Sequence, residues 1–464
     1  MNKNILFSAL VVVLFLISSL LQAQNPTIDQ AFKTETVEQL GELINARYVF
    51  PDVAKKTSEY LQTQLKSGAF DQYTDVKSFA VALTTAVQSV NKDKHMRIRP
   101  APGGMNAAAS PENMVDEKLD QIAWQRGNAA GFREAKRLEG NIGYLDLRGF
   151  APVQAGAPIA DRYMGLLAGS DAIIIDLRKN GGGSPEMVQY LCSFFFDTRV
   201  HLNSLYWREG DQTKEFWTID KVGGEKMPDV PLFILTSAYT FSGAEEFSYN
   251  MQTRKRATLV GETTGGGANP GGMFPINDKL GVFIPTGAAI NPVTKTNWEG
   301  TGVEPEVKTT AEEALDKAIE LAKNAAEEYR QKTREKYRVH LTALMAQLNN
   351  PEVSEEILFD IIRQCTETGL LTEDDINGLG YEYLMGHQQP ATAELIFKCN
   401  TRLYPGSANV YDSYGEALLA TGKKEEAVKS YQKAVEVAVA NQHPNLEMFQ
   451  GNLKTAMNSP VKRP

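Results

Sequence analysis

A chain of 464 residues with 42% hydrophobic and 23% charged content has room for two or three globular domains and the composition of a soluble protein. Its net charge of -9 at pH 7 argues against a general nucleic-acid binder. Three widely spaced cysteines (Cys192, Cys365, Cys399) and five scattered histidines exclude a disulfide scaffold and give no cluster with metal-ligand spacing.

The N-terminus reads as an export signal. Lys3 supplies positive charge, Ile5 to Leu21 is almost entirely apolar, and Leu21-Gln22-Ala23 offers a cleavage site after Ala23. As an uncleaved anchor the apolar run would be short, and no basic stop-transfer cluster follows it. With no cysteine near the cleavage site, a lipid anchor there is not expected.

From Ile28 to Val90 the apolar spacing predicts helices, with Val37, Leu40, Leu43 and Ile44 on one face and Phe79, Leu83, Val87 and Val90 on another. The following run, Lys92-Asp93-Lys94-His95-Met96-Arg97-Ile98-Arg99, reads as a solvated basic edge. After a Pro/Gly/Ala connection over 100–110, strands alternate with helices. Asn141–Leu147, Ala172–Leu177, Pro231–Leu235, Ala257–Gly261 and Gly281–Pro285 are short apolar strands, as expected in a sheet covered on both faces. The segments 159–167 and 185–196 have helical length and period, so the centre is an α/β core. Residues 310–337 predict one long linking helix. Beyond it, Leu384/Leu418, Ala393/Ala427 and Phe397/Tyr431 match at an offset of 34 residues, the period of a tetratricopeptide helix pair. The cysteines lie among apolar residues and read as buried thiols, with a Cys365–Cys399 bridge left open.

Chemistry concentrates at strand ends. Pro231–Leu235 leads through small residues to Ser242-Gly243-Ala244-Glu245-Glu246 at a helix start, where a serine hydroxyl lies near free backbone N–H groups. Ser242 and Glu245 also fit a capping box. Asp176-Leu177-Arg178-Lys179-Asn180-Gly181-Gly182-Gly183 follows a buried strand and precedes a helix capped by Ser184; it lacks the phosphate-loop ending, leaving an oxyanion donor or a tight turn. Gly261-Glu262-Thr263-Thr264-Gly265-Gly266-Gly267 holds no lysine or histidine and reads as a cleft wall.

This ordered set, closed by Glu299-Gly300-Thr301-Gly302-Val303-Glu304-Pro305, resembles the tail-specific (C-terminal-processing) serine peptidases. Within them it resembles the branch of interphotoreceptor retinoid-binding protein, which has an N-terminal helical domain and no PDZ domain. The resemblance covers about residues 28–307. It implies an α/β core of the ClpP/crotonase-like type with an N-terminal helical domain and a C-terminal helical repeat module. The expected division is 1–23 signal peptide, 24–100 helical domain, 101–310 catalytic core, 311–370 linking helices and 371–464 tetratricopeptide-like repeats.

By the same resemblance Ser242 aligns with the nucleophile. Many members pair it with a lysine, but Gly267 stands at that place here. Tricorn-like members use a histidine at the end of the N-terminal segment, which implies His95 as the base; their serine before it is replaced by Lys94. Glu299 is implied as the group orienting the imidazole, and Gly243 and Gly182 as the oxyanion-hole donors. The implied function is an exported, periplasmic or secreted peptidase that needs no metal or cofactor. Its expected partners are a peptide or protein substrate and a protein bound through the repeats, with no nucleic acid and no membrane span after signal cleavage. The alternative is an inactive binding protein for apolar or lipid-like ligands on the same fold.

Overall fold

Apolar residues at helical spacing give the chain three N-terminal helices. In the computed structural model, which describes residues 28–101, 111–350 and 352–458, these are α1 (Gln30–Arg47), α2 (Pro51–Lys66) and α3 (Val76–Asn91). The expected signal peptide lies outside the described residues. Asp29 and Asp75 accept the Phe32 and Ser78 N–H groups as N-caps of α1 and α3, and Pro51 opens α2. Helix α3 stops at Lys92, whose left-handed backbone (φ 59°) turns the chain into Asp93–His95 and strand β1 (Arg97–Pro100).

Helix α4 (Pro111–Gly127) precedes the α/β core. There follow β2 (Phe132–Leu138), β3 (Ile142–Leu147), α5 (Val153–Leu167), β4 (Ala172–Asp176) and α6 (Pro185–Cys192). Strands β5 (His201–Trp207) and β6 (Gln212–Trp217) come next, then β7 (Leu232–Thr236), α7 (Gly243–Thr253) and β8 (Thr258–Gly261). The core closes with β9 (Gly271–Pro275), β10 (Leu280–Pro285), β11 (Gly287–Ile290) and β12 (Val307–Lys308).

The central sheet has the order β12-β8-β7-β4-β3-β2, parallel throughout except for the antiparallel edge strand β2. Its aliphatic strands are buried on both faces for a reason visible side chain by side chain. Ile173, Ile175 and Ile234 pack with Met164, Val188 and Phe247 of α5, α6 and α7. Tyr144, Ile174, Phe233 and Val260 point the other way, onto Ala314, Ala318, Ala322 and Ala326 of helix α8 (Ala314–Leu348). Alanines four apart form one narrow stripe, which lets the helix axis approach the sheet closely.

Two three-stranded antiparallel sheets, β1-β10-β9 and β11-β5-β6, flank this core. Leu280, Val282 and Ile284 of β10 share one apolar cluster with Leu40, Ile44, Phe79 and Leu83 of the N-terminal helices. Pairing of Arg97 with Phe283 therefore fixes the segment just after His95 to a strand of the core.

The chain divides into two compact units between Tyr329 and Arg330, within α8. The second unit holds α9 (Glu355–Glu367), α10 (Glu373–Tyr381), a π-helical turn over Glu382–Gly386, and α11 (Pro390–Leu403). It continues with α12 (Ala408–Ala420), α13 (Lys424–Ala440) and α14 (Leu446–Asn458). Ala393 and Phe397 of α11 are buried, as are Ala427 and Tyr431 of α13. Each aromatic ring lies against a glycine of the preceding helix, Gly380 for Phe397 and Gly415 for Tyr431. All three cysteines are buried free thiols, so Cys365 and Cys399 are not bridged. Among the described residues no helix is long and apolar enough to cross a membrane.

Truncating Ile175 in the central strand removes apolar atoms from a site that cannot collapse between two packed layers. Ile175→Ala should cost about 2–5 kcal/mol, measured as a lower urea midpoint with an unchanged slope; a loss below about 0.5 kcal/mol would contradict this packing.

Candidate active site

Strand β7 is buried throughout and ends at Thr236, where the chain must reverse into α7. Ser237 and Thr240 donate their hydroxyls to the carbonyls of Arg178 (2.7 Å) and Leu177 (2.8 Å), and the Phe241 N–H donates to Asn180 O (3.1 Å). The turn is thus stitched to the loop after β4. Ser242 takes φ 55° and ψ -121°, a conformation costly for a residue with a Cβ. A serine held at a strained strand-to-helix elbow presents its hydroxyl outward, next to the first free N–H groups of the helix.

Gly182 backs this elbow. At φ 103°, a Cβ there would come within 2.7 Å of Gly243 N and 2.8 Å of Ser242 Cβ, so only glycine fits. Its N–H, however, donates to Asn180 Oδ1 at 2.9 Å, and Asn180 is fully buried and itself donates to Leu147 O. The Gly182 amide is therefore occupied, which disfavours it as an oxyanion donor. The next amide, Gly183, has no hydrogen-bond partner among the described residues, and neither has Gly243. These two lie side by side, since a Cβ on Gly243 would sit 3.1 Å from Gly183 N.

Glu245 is fully buried and accepts four hydrogen bonds. Oε2 takes the N–H of Ser242 (2.8 Å) and of Gly267 (2.8 Å), and Oε1 takes the N–H of Gly266 (2.6 Å) and the Thr264 hydroxyl. Burial raises its pKa, and these four donors pull it back toward the ionised form. The sequence suggested only a helix cap. The side chain in fact ties the elbow to the glycine loop after β8.

His95 sits on that loop's far side. Its ring lies 4.5 Å from Phe241 and stacks 5.7 Å from Phe283, centroid to centroid. A Cβ on Gly267 would fall 2.7 Å from His95 Cε1 and 2.2 Å from the Phe241 ring. The imidazole thus fills the space that a side chain at position 267 would need. The nearest lysine in sequence, Lys94, instead donates to Gly265 O at 2.6 Å. Burial, reinforced by Arg97, lowers the His95 pKa to about 4 and keeps the ring neutral.

Behind His95 lie two carboxyl groups. Asp93, which the sequence gave no reason to single out, is buried; its Oδ1 accepts the His95 N–H (3.0 Å) and lies 3.9 Å from Nδ1. Its Oδ2 accepts from Tyr48 (3.3 Å) and Asn269 (3.0 Å). Glu299 Oε2 accepts from the N–H groups of Ala268 (2.6 Å) and Asn269 (3.2 Å). Its Oε1 and His95 Nδ1 are buried without a hydrogen-bond partner. Donor atoms of Asp93, His95 and Glu299 all lie within 4.8 Å of one another, a spacing that could also hold a metal ion. Burial, then the charge of Asp93, pushes the Glu299 pKa up to about 8.

Ser242, His95, Gly243 and Gly183 line one cavity of about 540 Å³, with Trp207, Phe216 and Trp298 among its walls. Gly182 lies behind the wall, and Glu299 stands behind the imidazole, outside the lining.

Residues 141–309 match the family model for peptidase family S41, and residues 28–133 match that for the N-terminal domain of Peptidase_S41 in eukaryotic IRBP. The chain belongs to peptidase family S41. A carboxyl-terminal-processing protease of Synechocystis is 31% identical over 116 residues, which cover 25% of this S41 chain and 26% of that protein. The chain therefore matches about a quarter of that relative's length. Among solved structures, a candidate peptidase of Parabacteroides merdae aligns over 62% of this chain and 96% of its own, at 20% identity and a TM-score of 0.46. The photosystem II D1 C-terminal processing protease aligns over 60% and 93%, at 14% identity and a TM-score of 0.38.

In this S41 chain Glu245 can be tested apart from any activity. Glu245→Gln keeps the shape but replaces one acceptor oxygen with a donor, so two of the four donors lose their partner. Each buried donor left unpaired costs about 1–3 kcal/mol. The variant should melt at lower temperature, and amide exchange should accelerate at whichever of Gly266 and Gly267 loses its acceptor; unchanged exchange at both would contradict the tie.

Proposed function

We propose that this S41 member is an exported serine peptidase that hydrolyses peptide bonds through an acyl-enzyme on Ser242, with His95 as general base. The observation that carries the reading is the shared cavity, in which a strained serine, a neutral imidazole and two unpaired amides face the same space.

Ser242 Oγ attacks the scissile carbonyl carbon while His95 Nε2 takes its proton. The carbonyl π electrons move to oxygen, and the N–H groups of Gly243 and Gly183 hold the oxyanion. Collapse expels the amine, which receives the proton from His95. Water then attacks the ester with the same imidazole as base and releases the acid and free Ser242. With Nδ1 turned toward Asp93 and Glu299, an ionised carboxylate there favours the tautomer that leaves Nε2 free, and it stabilises the imidazolium as it forms. Export rests on the N-terminal segment. The recurrence of the Phe397/Gly380 contact as Tyr431/Gly415 supports reading α10–α13 as two tetratricopeptide-like pairs, which would offer a protein partner a surface.

A fluorophosphonate probe should label the wild type, label Ser242→Ala not at all, and label His95→Ala about 10²–10⁴-fold more slowly. An unlabelled wild type that binds a lipid-like fluorophore tightly would instead support the non-catalytic binding protein.

The pH profile gives a second check. His95 is a base only when neutral, so kcat/KM should hold through pH 6 and fall as the pH drops through about 4. Glu299 becomes anionic as the pH rises through about 8, so the rate should climb there. Glu299→Gln should abolish that climb while leaving the acid limb in place, and an unchanged alkaline limb would remove Glu299 from the relay.

A further inference from the structure

The cavity holds an acid that the proposed chemistry does not use. Glu246 lies one helical turn after Ser242, its N–H bonded to Ser242 O at 2.9 Å, and it lines the cavity although only 5% exposed. It pairs with no cation among the described residues; Lys214, also on the wall, is committed to Glu186 at 2.8 Å. A second observation points to a missing ligand. Asn203, Leu205 and Trp207 alternate onto one face of β5, and Leu205 and Trp207 line the cavity. Asn203 is fully buried; its amide lies close enough to the Glu246 carboxyl to favour the ionised form, yet neither Nδ2 nor Oδ1 reaches full hydrogen-bond geometry. Leu205, Trp207 and Phe216 supply apolar walls, and once Glu246 is ionised it and Glu186 exceed the single cation Lys214 by one negative charge.

We propose that this cavity receives the substrate residue whose carbonyl Ser242 attacks, that it selects lysine or arginine there, and that Glu246 is the counter-charge at its base. The assignment rests on the hydrolase reading above. Ser242 and Glu246 line the same cavity, so a residue seated at Ser242 can lay a four-carbon stem on the apolar walls with its ammonium at the carboxylate. An uncharged substrate would leave a buried acid without a counter-charge, whereas a basic one neutralises it in a desolvated site. Burial already pushes Glu246 up to about 7, the mark of an acid that a cation would relieve.

The test compares two peptides that differ only in lysine versus norleucine at the cleaved position, since norleucine keeps most of the stem and lacks the charge. Wild type should favour lysine in kcat/KM by at least about tenfold, and Glu246→Gln should bring the ratio near one. Glu246→Asp, which keeps the charge with shorter reach, should give an intermediate ratio and serves if the Gln variant misfolds. Calorimetric binding of the same peptides to Ser242→Ala should show the same preference, lost in Ser242→Ala/Glu246→Gln. Equal or norleucine-favoured affinity for Ser242→Ala overturns the subsite. A lysine preference in binding without hydrolysis by wild type sustains the subsite and overturns the hydrolase.

Discussion

The site depends on one buried carboxylate. Glu245 accepts from the backbone of Ser242, Gly266 and Gly267 and from the Thr264 hydroxyl, so a single side chain sets the distance between the serine elbow and the loop on which the imidazole rests. Hydrogen bonds to an ionised acceptor are the strong ones, and burial makes each expensive to break. The strained backbone of Ser242 persists because its surroundings over-determine it: Phe241 N–H is held by Asn180 O and Ser242 N–H by Glu245.

This linkage bears on the base proposed above. The space above Ser242 is enclosed by Phe241, the Gly267 backbone and Phe283, and a planar imidazole fills it by stacking. A lysine at 267 would need the volume of the His95 ring, so the two side chains are alternatives in one cavity. The same packing that seats His95 also dries it, which holds the ring neutral, the form that the proposed base requires.

Much of the fold was legible because it obeys simple periodicities. The strands 142–147, 172–176, 232–236 and 258–261 read as continuous apolar runs since layers of helix cover both faces. Strands β1, β2, β5, β6, β9, β11 and β12 were missed; of these, Gln212–Trp217 is mostly exposed and Gly271–Pro275 half-buried, so neither carries a burial signal. Ser242 and His95 were reached through motifs. Asp93 was not, because flanking lysines and arginines made its segment resemble a solvated edge, whereas the structure turns it inward against Tyr48 and Asn269. The Asp-x-His spacing was the available signal, since an aspartate two residues ahead commonly accepts a backbone N–H, as Asp93 does from His95. Gly182 illustrates the opposite limit. Its glycine was readable, but that its amide is spent on Asn180, leaving Gly183 beside Gly243, follows only from geometry.

The adjacent pair Glu245-Glu246 shows how one helical turn can divide labour. Successive residues on a helix point about 100° apart, so two identical side chains meet different surroundings. Glu245 finds four donors and becomes part of the scaffold; Glu246 faces the cavity beside an amide that completes no hydrogen bond. Saturation by protein donors is what distinguishes a structural acid from one available to a ligand. By that measure the two carboxylates, adjacent in sequence and identical in chemistry, have separate roles.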